Sequence, residues 1–177
     1  MNLLAISGSL RTSSSNTRLL SALALLVPTD VTFAFYSGLA ELPHFNPDLD
    51  IDPAPVEVKK YRERLQWADA VAISSPEYAH GVPGALKNAL DWVVGSGELV
   101  GKPVALLNAS PRATHAYESL TETLRTMSAV ILPEASITVP LLGSDLDPAR
   151  IATNDEYGPA LRAATEVLVF YVNHRKS

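Results

Sequence analysis

Three short stretches of this chain are apolar at successive rather than alternate positions: "NLLAIS" at 2–7, "AVAISS" at 70–75 and "PVALLNAS" at 103–110. A strand with one face in water alternates apolar and polar residues, so consecutive apolar positions mean burial on both faces. The inner strands of a parallel sheet, covered by helices on each side, meet that requirement. Two further runs, "VTFAFY" at 31–36 and "VILPEASITV" at 130–139, complete the set. Between the runs lie segments of helical period at 17–27, 56–67, 84–93, 115–128 and about 158–173. In the last, Leu161, Thr165, Leu168 and Val172 recur on one helix face. Five strands alternating with five helices predict a doubly wound α/β sheet, with 1–177 as a single domain.

Composition narrows the function classes. A chain of 177 residues with 47% apolar and 19% charged residues can bury a substantial core. A formal net charge of −5 argues against nucleic acid or an anionic membrane surface as the main partner. The chain has no cysteine, which excludes disulfides, thiolate catalysis and thiolate metal sites. His44, His80, His115 and His174 show no metal-ligand spacing, so no metal is expected. The amino-terminal apolar run meets Gly8 and Arg11 too early for a signal peptide, and no run is long enough to span a membrane. The expectation is a cytoplasmic location. The proline-rich, acidic loop 37–54 reads equally as a lid, a subunit contact or a plain surface excursion.

Ligands of open parallel sheets sit beyond the carboxyl ends of the strands, which singles out the loops after the first, third and fourth runs. The first, "GSLRTSSSN", leads into a helix whose amino terminus favours an anion. Ser9, Ser14, Ser15 and Asn16 can donate from side chains, and Arg11 adds a fork suited to a phosphate. One such residue would suffice as a helix cap; the stretch 5–20 carries eight polar hydroxyl and amide side chains. Neither G-x-G-x-x-G nor G-K-[ST] is present, which disfavours dinucleotide-type and ATP-type phosphate loops.

The second loop, "SSPEYAHGVPG", is restricted by Pro76, Gly81, Pro83 and Gly84, with Pro83 read as the first helical residue. It can present backbone groups to a flat heterocycle, with Tyr78 and His80 against its face or edge. Gly81 is expected either at positive φ or as the position that leaves room for a ligand. Lys87, Asn88 and Asp91 are read as fixing the next helix or joining a subunit contact, and Trp92 as core. In the third loop, "NASPRATHA", Ser110 and the backbone near Pro111 and Arg112 can close the site from the other side. No G-x-S-x-G elbow and no paired-carboxylate motif is present, so hydrolase chemistry is not supported.

These loops resemble the NADPH-dependent FMN reductase family, a flavodoxin-like group that includes quinone, chromate and azo-dye reductases. Gly8, Ser9, Leu10, Arg11, Ser14 and Asn16 match its first signature, close to G-S-L-R-x-x-S-x-N. Pro76, Glu77, Tyr78, Pro83, Gly84 and the stretch Leu86 to Trp92 match its second, close to P-E-Y-N-x-S-x-P-G-x-L-K-N-A-[IL]-D-W. Spacing and element order agree from residue 2 to about residue 170. The chain departs from the pattern at Ala79 and Gly81, where many relatives have Asn and Ser, and at 110–114, where it lacks their Gly-Gly.

The resemblance implies a flavodoxin-like sheet of order 2-1-3-4-5, bound FMN, and NADPH or NADH as co-substrate. The phosphate would lie at Ser9, Arg11, Ser14, Ser15 and Asn16. The isoalloxazine edge would lie along Pro76, Glu77, Tyr78, Ala79, His80 and Gly81, with Ser110 opposite. A hydride would pass through the flavin to a quinone or other small acceptor, with no side chain assigned as catalytic. A homodimer or homotetramer is implied as well. The competing class is a flavodoxin-type electron carrier or a flavin-binding module; Arg11 and the "PEYAHGVPG" loop favour the reductase.

Overall fold

A computed structural model describes residues 1–175; the single-domain expectation over 1–177 reaches two residues beyond these. The strands β1 (Asn2–Ser7), β2 (Thr32–Tyr36), β3 (Ala70–Ser74), β4 (Pro103–Leu107) and β5 (Val130–Ile131) form one parallel sheet of order β2-β1-β3-β4-β5. This is the expected flavodoxin-like arrangement. The helices are α1 (Ser15–Ala24), α2 (Val56–Trp67), α3 (Gly84–Asp91), α4 (Thr114–Thr126), α5 (Pro148–Ala152) and α6 (Tyr157–Arg175).

The consecutive apolar positions split between two cores, as the pleat of a doubly covered strand demands. Leu3, Ala5, Ala72 and Ala105 point to one face, where Leu19, Leu23, Leu161 and Leu168 of α1 and α6 cover them. Leu4, Ile6, Val71, Ile73, Val104 and Leu106 point to the other, under α2, α3 and α4 through Tyr61, Leu65, Leu86, Leu90 and Leu120. Four strand positions on the first face, Ala5, Ala70, Ala72 and Ala105, are alanine, which leaves room for helix backbones close to the sheet.

Several boundaries differ from the sequence reading. Helix α1 begins two residues before the expected 17, because the Ser14 side chain accepts from Thr17 N and acts as N-cap. Pro83 is the N-cap of α3 rather than its first residue, with φ −53° and ψ 136°. The expected strand 130–139 shrinks to Val130–Ile131: Pro133 ends the pairing, a 3-10 turn follows at Pro133–Ala135, and the chain rejoins the sheet only as a bridge from Thr138 to Asn108. Helix α5 was not foreseen, although Asp147 caps it through Arg150 N and Pro148 opens it.

The loop 37–54 is not a free excursion in its first half. Leu39 and Leu42 are buried, and Phe45 sets its ring edge-on to Trp92 at 5.1 Å. Asn88 grips the loop from α3, accepting from Phe45 N at 2.7 Å and donating to Pro43 O at 2.9 Å. The fully buried Trp92 donates to the same carbonyl. Lys87 and Asp91 pair with each other along the helix.

Candidate functional site

The carboxyl ends of β1, β3 and β4 open into one cavity of about 330 Å3, lined by all three singled-out loops. Loop 8–14 and the β3 end are in close contact. A Cβ on Gly8 would stand 2.8 Å from Ser75 Oγ and 3.2 Å from Ser75 Cα, so any larger residue would have to push the Ser75 hydroxyl and its loop aside. Of the sequence-predicted residues, Ser9, Arg11, Ser14, Ser15, Asn16, Pro76, Glu77, Tyr78 and Ser110 line this cavity. Ala79, His80 and Gly81 do not.

The hydroxyls share one bonding pattern. Ser9 Oγ accepts from Arg11 N at 3.3 Å, Ser13 Oγ from Arg11 Nη2 at 3.3 Å and Ser14 Oγ from Thr17 N at 3.4 Å. Ser15 Oγ accepts from Arg18 Nη2 at 3.2 Å, and Ser110 Oγ from Arg112 N at 3.3 Å. A hydroxyl has one proton to give. Each oxygen already accepts one bond from the chain, and its proton remains free for the cavity. Asn16 is held similarly: its Oδ1 accepts from Ser74 Oγ at 2.9 Å, which leaves the two N–H groups of Nδ2. The donor set is therefore arranged for an anion, at the amino terminus of α1 where the helix dipole adds to it.

The only carboxylate among the residues lining the cavity is Glu77, and it faces elsewhere. Its Oε2 accepts from Ala116 N in the first turn of α4 at 2.9 Å, so it caps that helix and fastens the second loop to it. Beyond Glu77 the chain makes a tight reversal: Tyr78 N donates to Gly81 O at 3.1 Å and Gly81 N to Tyr78 O at 3.0 Å. The central residues Ala79 and His80 lie at φ 49° and 61°, the sign pattern of a type I′ turn. This corrects the expectation for Gly81, which is not among the positive-φ positions. The register of the turn places 79 and 80 at its centre and Gly81 at its exit. The exposed His80 ring stacks on His115 of α4, with centroids 4.2 Å apart and planes 12° from parallel.

Sequence reasoning missed two participants. Arg18 spans from Ser15 to the carbonyls of Ser144 (2.9 Å) and Leu146 (2.7 Å), which fastens the loop after the 3-10 turn beside the cavity. Leu142, on that loop, lines the cavity and is 64% exposed. Arginine in the first turn of α1 was a visible signal; Leu142 gave none, because only the long return from β5 brings it there. The side chains with displaced pKa values, Tyr36, Tyr61 and Lys102, do not line the cavity. Among the described residues no cluster of three or more His, Asp or Glu could hold a metal ion, and no helix is long and apolar enough to cross a membrane.

Residues 1–141 match the sequence profile of the NADPH-dependent FMN reductases. An NAD(P)H-dependent FMN reductase of Pseudomonas aeruginosa is 37% identical over 112 residues, 62% of this chain and 60% of that protein. A quinone reductase of Pseudomonas putida is 36% identical over 109 residues, 60% of this chain and 58% of that protein. The aligned stretch thus spans about three fifths of each relative's length. Among solved structures, FerB from Paracoccus denitrificans, a flavoenzyme NAD(P)H:(acceptor) oxidoreductase, superposes with a TM-score of 0.83 at 29% identity, covering 98% of this chain and 97% of its own.

Proposed function

The chain belongs to the NADPH-dependent FMN reductase family, and from that premise we propose that it is an FMN-dependent oxidoreductase which passes a hydride from NADPH or NADH to a quinone or similar small acceptor. The carrying observation is the set of hydroxyls at the head of α1, each accepting from the chain and each left with a proton to donate. A phosphate monoester suits such a set, since it offers acceptors only and a double negative charge. The residues present therefore fit FMN.

On this reading Ser9, Arg11, Ser14, Ser15 and Asn16 hold the phosphate, with Arg18 fixing the Ser15 hydroxyl from behind. Pro76, Glu77 and Tyr78 present main chain to the ring, Ala79, His80 and Gly81 shape the turn that carries them, and Ser110 closes the opposite wall. Bound FMN supplies the hydride-accepting isoalloxazine. The chain's own work is placement: it orients the ring, keeps carboxylates away from the phosphate, and leaves the mouth open between Tyr78 and Leu142 for donor and acceptor in turn. No side chain is assigned to move a proton.

A cytoplasmic homodimer or homotetramer belongs to the same reading. Tyr78 and Leu142, which line the cavity, are 54% and 64% exposed, which supports a second copy covering part of it. The test begins with the absorbance of the purified protein and titration of the apoprotein with FMN. Initial rates with NADPH and a small quinone, both varied, should then give parallel double-reciprocal lines. A colourless protein that takes up no FMN would overturn the proposal.

A further inference from the structure

We propose that Arg112 docks an anionic group of the substrate that shares the cavity with the flavin, and so selects among donors or acceptors. The inference rests on reading the cavity as the FMN site.

Two arginines line that cavity, on different loops: Arg11 after β1 and Arg112 after β4. FMN carries one phosphate, and Arg11 stands with the hydroxyls at the head of α1. Arg112 is left over. Among the described residues no ion pair involves it, and the cavity's carboxylate, Glu77, is engaged on Ala116 N. The amino terminus of α4 is the other electropositive feature on this wall, and Glu77 already fills it. An anion arriving on this side is met by the guanidinium, with the Ser110 hydroxyl as the neighbouring donor.

The backbone that carries Arg112 is fixed beforehand. Ser110 N donates to the buried Asn108 Oδ1 at 3.0 Å, Arg112 N to Ser110 Oγ at 3.3 Å and Ala113 N to Ser110 O at 3.1 Å. Pro111 restricts the turn further. Little backbone freedom remains to be lost on binding, so the base of the side chain is fixed at the rim and only the exposed guanidinium has to settle on its ligand. Its planar fork matches the oxygens of a phosphate or a carboxylate. Beyond the diphosphate that NADPH and NADH share, two groups present that chemistry and differ within a pair of substrates: the 2′-phosphate that distinguishes NADPH from NADH, and a carboxylate on a quinone-like acceptor.

The experiment compares wild type with Arg112→Ala and Arg112→Lys, all loaded with FMN. Values of kcat/KM are measured for NADPH and NADH with a neutral quinone, and for a neutral and a carboxylate-bearing quinone with NADH. Calorimetric affinities for adenosine 2′,5′-bisphosphate and 5′-AMP give a readout that does not depend on turnover. The expected result is a loss of about tenfold or more in Arg112→Ala for the member of one pair that carries the extra phosphate or carboxylate, with the counterpart lacking that group little changed and Lys recovering part. Loss confined to NADPH and the bisphosphate identifies the donor; loss confined to the carboxylated quinone identifies the acceptor. Equal loss in every pair, or none, overturns the proposal. So does a fall in FMN affinity with riboflavin affinity kept, which would make Arg112 a second ligand of the flavin phosphate. A wild type that neither binds FMN nor oxidises NAD(P)H would instead remove the reading beneath it.

Discussion

The hydroxyl of Ser74, at the end of β3, donates a 2.9 Å hydrogen bond to Oδ1 of Asn16 in the first turn of α1, and both side chains are buried. This bond ties the head of α1 to the base of the second loop, and it orients the Asn16 amide. Asn16→Ala should strand the Ser74 hydroxyl without a partner and cost about 1–3 kcal/mol of stability, read from denaturant midpoints. Asn16→Asp keeps the acceptor but brings a carboxylate into the cavity. It should weaken FMN binding while changing riboflavin binding much less.

Arg11 and Ser14 should separate in their effects. Arg11→Ala removes a partly solvated fork, so stability should hold while FMN affinity falls about tenfold or more and riboflavin affinity does not. Ser14→Ala should do the same to FMN and also lower stability by about 1 kcal/mol, because Ser14 is the N-cap of α1. Equal loss of both flavins in Arg11→Ala would place the phosphate elsewhere.

The turn at 78–81 reverses a natural guess about its glycine. A Cβ on Gly81 would meet only Tyr78 O, at an ordinary 3.5 Å, and the position is not at positive φ, so Gly81→Val should be tolerated by the turn. Ala79 and His80 are the residues in the left-handed region, at φ 49° and 61°. Ala79→Asn should stabilise slightly, since asparagine accepts the left-handed region, while Ala79→Val should cost about 1–3 kcal/mol and loosen flavin binding. Thermal melts and FMN titrations of the three variants check the order.

Alkaline pH should act through the far side of α2. Burial, with Glu41 and Glu57 adding to it, pushes the Tyr36 hydroxyl up to about 12 from the ordinary 10.0. Burial pushes Tyr61 up as well. A raised folded-state value stabilises fully below the unfolded value, so this contribution is present below pH 10 and is lost as pH climbs from 10 towards 12. Lys102 works in the opposite sense: burial lowers it, so its contribution improves as pH rises towards its ordinary 10.5 and does not add to the loss above that. Tyr36→Phe should flatten the fall in stability between pH 10 and 12. Among the described residues the buried Tyr61 hydroxyl has no hydrogen-bond partner. Tyr61→Phe should therefore be neutral or stabilising by up to about 1 kcal/mol.

What the sequence disclosed follows from the range of the forces involved. Leu3 to Ile6, Ala70 to Ile73 and Val104 to Leu107 announced doubly buried strands because burial on both faces leaves no polar position, and the sheet order followed from the resemblance. The cluster of donors in the hydroxyl-rich loop was legible because they are adjacent in the chain. The partners of those donors were not. Nothing local says that Glu77 reaches Ala116, that Arg18 reaches Leu146, or that His80 lies on His115, since each joins elements that only the crossovers bring together. The turn was misread for a related reason: its strain is fixed by the pairing of Tyr78 with Gly81, and the residue with the permissive backbone was not the one that needed it.

Glu77 and His80 together give α4 a second role besides covering the sheet. Both ends of the segment from Glu77 to His80 are latched to the first turn of this helix, one by a hydrogen bond and one by a stack. Leu120 and Leu124 seat the helix in the core, while Glu118, Glu122 and Arg125 face solvent. Helix and loop are thus linked in mechanical series, and a tilt of α4 about its buried leucines is carried to the wall of the cavity like the motion of a lever arm. A contact made on the outer flank of α4 would then register as a change in the colour and potential of a flavin that it never touches.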